Sequence, residues 1–139
     1  MTMLHLNDLV SSLESRGKAL QVLKLNHLNL GTDFVIEAIA NFIEMNPYIN
    51  ILDLAFCSLG AKEMLEIAKV LKTNPDHVKS LNFSYNQLLV NEDYEENLED
   101  ELEIKKIKVI RNSATEFLKF MTSYISKTKT LNHLDLSGL

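Results

Sequence analysis

Val78-Lys79-Ser80-Leu81-Asn82-Phe83-Ser84-Tyr85-Asn86-Gln87-Leu88 is the stretch that decides the fold. Val78, Leu81, Phe83, Asn86 and Leu88 fill the pattern L-x-x-L-x-L-x-x-N-x-L at every defined position. The pattern recurs as LQVLKLNHLNL from Leu20, INILDLAFCSL from Ile49 and LNHLDLSGL from Leu131. The first three starts lie 29 residues apart, since 49 − 20 and 78 − 49 give the same number. A period of that length predicts a solenoid, in which each unit buries its apolar face against the next.

Within one unit, L-x-x-L-x-L alternates as a short strand that points its leucines into one interior. The Asn that follows marks a sharp turn, where a buried amide satisfies backbone groups that the turn leaves unpaired. Asn86 suits that role. Leu28 and Cys57 hold the equivalent positions, so apolar packing is expected to replace the amide in the first two turns.

Helices fill the remainder of each unit. Leu30-Gly31-Thr32 leads into a helix expected over 33–44 and stopped by Asn46-Pro47; Leu59-Gly60 leads into one over 61–72, stopped by Asn74-Pro75. Aligned by the period, Val35 pairs with Met64, Ile36 with Leu65, Ile39 with Ala68 and Phe42 with Leu71, an i, i+1, i+4, i+7 stripe. Residues 6–16 place Leu6, Leu9, Val10 and Leu13 at helical spacing before Gly17, which predicts an N-terminal capping helix. M-L-H-L at 3–6 alternates as a short strand would, a reading that leaves Leu9 to Leu13 unexplained.

The third unit breaks the period, because the next start comes 131 − 78 = 53 residues later. Counting back from Leu131 puts Phe117, Leu118, Met121 and Tyr124 in the helix columns and Ser113 where Gly31 and Gly60 stand. Ser113-Ala114-Thr115-Glu116 has the S-x-x-E form of a capping box, so a helix start is expected there and an insert at 89–112. The insert carries eight acidic residues from Glu92 to Glu103 and no basic ones, followed by Lys105, Lys106, Lys108 and Arg111. Such blocks pair locally as a hairpin or helix, with Leu98, Leu102 and Ile104 as a thin apolar edge, or stay solvated.

Composition narrows the function. With 139 residues and 46% apolar content the chain is one domain with a real core. A net charge of −5 disfavours a general nucleic-acid binder. No apolar run approaches eighteen residues and MTMLHLNDLVSS lacks a secretory signal, so no membrane partner and a cytoplasmic location are expected. Cys57 is the single cysteine, expected to be a small buried apolar group and not a nucleophile. His5, His27, His77 and His133 are scattered, and no phosphate loop, H-E-x-x-H or calcium-loop spacing occurs. No enzyme, cofactor or metal site is expected.

The chain resembles leucine-rich repeat proteins of the ribonuclease-inhibitor-like type over most of residues 20–139 outside the insert. NPDHVKSLNFSYNQL is similar to repeats in leucine-rich effectors of intracellular bacteria such as Legionella, where a Pro-x-x-V-x-S-L-x-x-S-x-N phrase recurs. The resemblance implies an α/β right-handed solenoid of about three and a half repeats, with parallel strands on a concave face and helices on a convex one. Its parts would be a cap at 1–19, repeats at 20–48, 49–77 and 78–130, and a truncated repeat at 131–139. It implies a protein-binding module, in some relatives an inhibitor covering an enzyme's active site, and host cytoplasm as the location of a translocated effector. A small-GTPase regulator and a structural piece of a larger assembly are the alternatives, since relatives serve as GTPase-activating proteins.

Three outward columns then form the expected concave patch: His27, Phe56, Tyr85 and Gly138; Lys24, Asp53, Asn82 and Asp135; Val22, Ile51, Ser80 and His133. The expected partner-binding residues are Lys24, His27, Asp53, Phe56, Asn82, Tyr85, His133 and Asp135, with Phe56 and Tyr85 as anchors because interface energy concentrates in a few aromatic residues. The last strand, expected over 133–136, would leave an unpaired edge open to self-association.

Overall fold

The computed structural model describes residues 8–9, 11–12, 20–88 and 100–139. In these residues strands and helices alternate: β1 (Val22–Lys24), α1 (Asp33–Met45), β2 (Ile51–Asp53), α2 (Ala61–Thr73), β3 (Ser80–Asn82), α3 (Glu101–Lys127) and β4 (His133–Asp135). The architecture is α/β. The four strands form one parallel sheet in chain order.

Register follows the leucines. Leu23 pairs with Leu52, Leu52 with Leu81 and Leu81 with Leu134, so the interval of 53 residues before β4 leaves the pairing in step. The ladder continues past each strand into its turn: Leu25 N–H donates to Asp53 O, Leu54 to Asn82 and Phe83 to Asp135, at 2.8–3.0 Å. One residue pair further, His27 donates to Ala55, Phe56 to Ser84 and Tyr85 to Ser137. The turns are therefore stacked as regularly as the strands.

The inward leucines meet the helices in one core. Leu52, Leu54, Leu81, Phe83, Val35, Ile39, Met64, Ala68, Leu71 and Phe117 are wholly buried. Phe83, just beyond β3, meets Phe117 of α3 edge to face with centroids 5.7 Å apart, joining sheet to helix. Gly31 is needed where α1 is entered, because a Cβ there would stand 2.5 Å from the Ser58 carbonyl oxygen. At α2 the Gly60 N–H donates to Glu63 Oε2 at 3.1 Å, half of a capping box.

Helices α1 and α2 run one residue beyond their expected ends, and their stripes pack as aligned except that Phe42 is only half-buried while its neighbour Ile43 is wholly buried. The third helix differs more. It begins twelve residues before Ser113, capped by Asp100, whose side chain accepts from Leu102 N–H at 2.9 Å. Ser113 lies inside it, so the capping-box sequence there starts no helix, and residues 101–112 follow the helix reading of the charged segment rather than the hairpin or the solvated loop. The physical reason is a continuous stripe: Ile107, Ile110, Ala114, Phe117, Met121 and Tyr124 are spaced by three and four residues, with no Gly or Pro to interrupt them.

One apolar expectation fails with it: Leu118 is exposed. Leu102 and Ile104 of the expected thin apolar edge are exposed too, and Leu98 lies outside the described residues. Most of the acidic segment, at 89–99, lies outside the described residues. Of the expected N-terminal helix, Asp8, Leu9, Ser11 and Ser12 are described and helical, and Leu9 packs against the core; the remainder of that expectation lies outside the described residues. Strand β4 ends at Asp135, one residue short of its expected limit.

Candidate functional site

Each strand ends in a turn that the backbone enters with a positive φ. His27 (62°), Phe56 (53°), Tyr85 (57°) and Gly138 (68°) occupy the same turn position in four successive rows. The left-handed region is costly for a residue with a side chain, so stacked neighbours must hold it. They do. The rings of His27 and Phe56 lie 4.6 Å apart and those of Phe56 and Tyr85 4.5 Å apart, each pair within 12° of parallel. Gly138 ends the column for a steric reason: a Cβ there would meet the Tyr85 ring at 2.5 Å.

The column was expected on the strand face, and the structure places it on the turn beyond the strand ends. It remains accessible, Phe56 being 44% and Tyr85 54% exposed. An exposed stack of three rings offers a rigid apolar surface whose side chains lose little freedom on contact.

The second column has a different occupation. Asp53 Oδ1 accepts from Ala55 N–H at 3.0 Å, Asn82 Oδ1 from Ser84 at 2.9 Å and Asp135 Oδ1 from Ser137 at 2.9 Å. These side chains build the turns that aim the rings. Asp53 also accepts from Asn26 Nδ2 at 2.9 Å. Hydrogen bonds from Ser137, side chain first and then backbone, hold the Asp135 carboxyl below the usual carboxylate range, and His133 adds to the effect. Lys24 is exposed in the same column. In the third column Val22 and His133 are exposed and Ile51 and Ser80 half-buried.

Beneath the rings, Asn86 does what its position predicts. Its Oδ1 accepts from Cys57 and Leu59 N–H, both at 3.0 Å, while Nδ2 donates to Leu54 O and Phe83 O, both at 2.8 Å. One row earlier the Cys57 thiol donates to Leu25 O at 3.0 Å, so packing alone does not close that turn. Burial pushes the thiol pKa up to about 11, which keeps it protonated at neutral pH.

Beside the column lies a feature that the sequence reading missed. A cleft of about 890 Å³ is lined by Phe56 and Tyr85, by Leu59 ahead of α2 and Lys62 in its first turn, and by Val109 and Ile110 of α3. Val109 and Ile110 fall within the insert expected at 89–112. The signal that would have found them is the stripe from Ile107 to Tyr124. Among the described residues no helix is long and apolar enough to cross a membrane. Compared with protein-family models, with curated proteins and with solved structures, the chain matches none.

Proposed function

We propose that the chain is a leucine-rich repeat solenoid of the ribonuclease-inhibitor-like kind and acts as a non-enzymatic module that binds a partner protein. The observation that carries this reading is the exposed stack of His27, Phe56 and Tyr85 beside the cleft. Three rings held at unfavourable backbone angles, with a cleft on their flank, form a preorganised apolar anchor site. The 29-residue recurrence supports the repeat assignment, as does the Asn86 amide that closes one turn through hydrogen bonds at both its oxygen and its nitrogen.

The partner contacts the turn rim before the strand face. Lys24 and His133 lie on that face as secondary contacts, while Asp53, Asn82 and Asp135 act mainly by shaping the turns. The test is affinity capture of a protein partner with three versions of the chain: parent, Phe56→Ala/Tyr85→Ala, and Glu37→Ala on an exposed position of α1. Loss of a hot-spot pair weakens binding by about 2 kcal/mol or more. A partner held by the parent and Glu37→Ala but lost by the double variant, with all three melting cooperatively, is the expected result. A partner held equally by all three removes the rim as the working surface.

A further inference from the structure

The rings of the rim column are exposed along their edges and not on their faces. Phe56 is stacked on both sides, against His27 at 4.6 Å and against Tyr85 at 4.5 Å, each pair within 12° of parallel. Tyr85 has Phe56 on one face and Gly138 against the other, where a Cβ would stand 2.5 Å from Cδ1 and 2.8 Å from Cε1. Both faces of both rings are covered, so these exposed residues show ring edge to solvent.

That distinction selects the chemistry of an occupant. An aromatic ring is electronegative on its faces and electropositive along its edge. A lysine or arginine is attracted by a ring face, so the column gives a cation nothing to bind. A ring edge instead favours the face of another ring, the edge-to-face pairing that Phe83 and Phe117 make inside the core.

The cleft beside the column suits the same occupant. Leu59, Val109 and Ile110 give it apolar walls, and Val109 is 60% exposed. The charged side chains among its described lining, Lys62 and Glu63, are engaged within the chain: Lys62 Nζ lies 3.3 Å from Asp33 Oδ1, and Glu63 Oε2 accepts from Gly60 N–H at 3.1 Å. Neither offers an unpaired charge. At about 890 Å³ the cleft has room for a ring and for the backbone that carries it.

We infer that the partner protein inserts an aromatic side chain into this cleft, its ring face against the edges of Phe56 and Tyr85 and its far side against Val109 and Ile110. This selectivity rests on the rim being a partner site, as proposed above.

Three short alanine peptides test it, each with one central residue: Phe, cyclohexylalanine or Arg. Cyclohexylalanine has the size of Phe but no ring quadrupole, so it separates edge-to-face attraction from apolar burial. The full 139-residue chain is titrated with each peptide while NMR follows the Phe56 and Tyr85 rings and the Val109 and Ile110 methyl groups. The Phe peptide is expected to bind about two- to tenfold tighter than the cyclohexylalanine peptide, and the Arg peptide weakest. Phe56→Leu/Tyr85→Leu keeps apolar side chains on the rim and removes both ring edges; folded by circular dichroism, it should bind the first two peptides alike. Cyclohexylalanine binding as tightly as Phe, Arg binding best, or a Phe preference that survives in the double variant overturns ring-edge selection and leaves the rim as a partner site. No shift at the rim with any peptide at about 10 mM overturns both readings.

Discussion

The first two strand–helix units and the third solve the same packing problem with helices of different length. Helices α1 and α2 have 13 residues each, whereas α3 has 27. Even so, β4 pairs with β3 in the register that β3 keeps with β2. The C-terminal half of α3 supplies Phe117, Met121 and Tyr124 to the core as α2 supplies Met64, Ala68 and Leu71. Additional length was therefore tolerated on the N-terminal side of a helix, where it extends an existing apolar stripe and leaves the strand spacing untouched. It also supplies Val109 and Ile110 to the cleft, a wall that the shorter helices lack.

The comparison breaks most severely in the shared core. Leu54→Ala and Leu81→Ala, both wholly buried, should each lower unfolding free energy by about 2–5 kcal/mol in denaturant titrations. Similar costs would show that the third unit is packed as tightly as the second; a much cheaper Leu81→Ala would show that the long helix loosens its strand. The turns come next. Asn86→Ala strands several buried backbone groups and should cost about 3 kcal/mol, against about 1 kcal/mol for Cys57→Ala, which loses a single sulfur donor. Equal costs would mean that the amide closes its turn no better than the thiol.

Smaller effects sharpen the helix boundary. Asp100→Ala removes the N-cap of α3 and should cost about 1 kcal/mol. Ser113→Ala, inside the helix, should be neutral or stabilising by less than about 0.5 kcal/mol. The reverse pattern in thermal melts would restore Ser113 as the helix start.

Much of this architecture is readable from residue spacing because each unit is local. Leu20 to Leu30 carries its own alternation, and Pro47 and Pro75 end two helices by chemistry that needs no neighbour. The capping box at Ser113 misled for an equally local reason. S-x-x-E favours a helix start only where the preceding residues leave the helix, and Ile107 and Ile110 continue it onto the core. Leu118 misled differently: its column is buried only when another helix follows, so burial at Ile36 and Leu65 did not transfer.

The candidate site was legible in composition but not in position. His27, Phe56 and Tyr85 recur at one place in the pattern, which places them in one column, yet strand and turn look alike until the backbone dihedrals are known. Positive φ at these residues puts the rings on the rim, and the polar column one step back is consumed in building the turn. By itself the sequence determined the period, the inward leucines, the first two helices and the Asn86 turn, because each follows from short-range periodicity and one buried amide. Tertiary structure alone decided the cleft beside α3 and the exposure of Leu118. Each depends on which surfaces of distant segments come together, and that contact is not encoded in any one stretch of the chain.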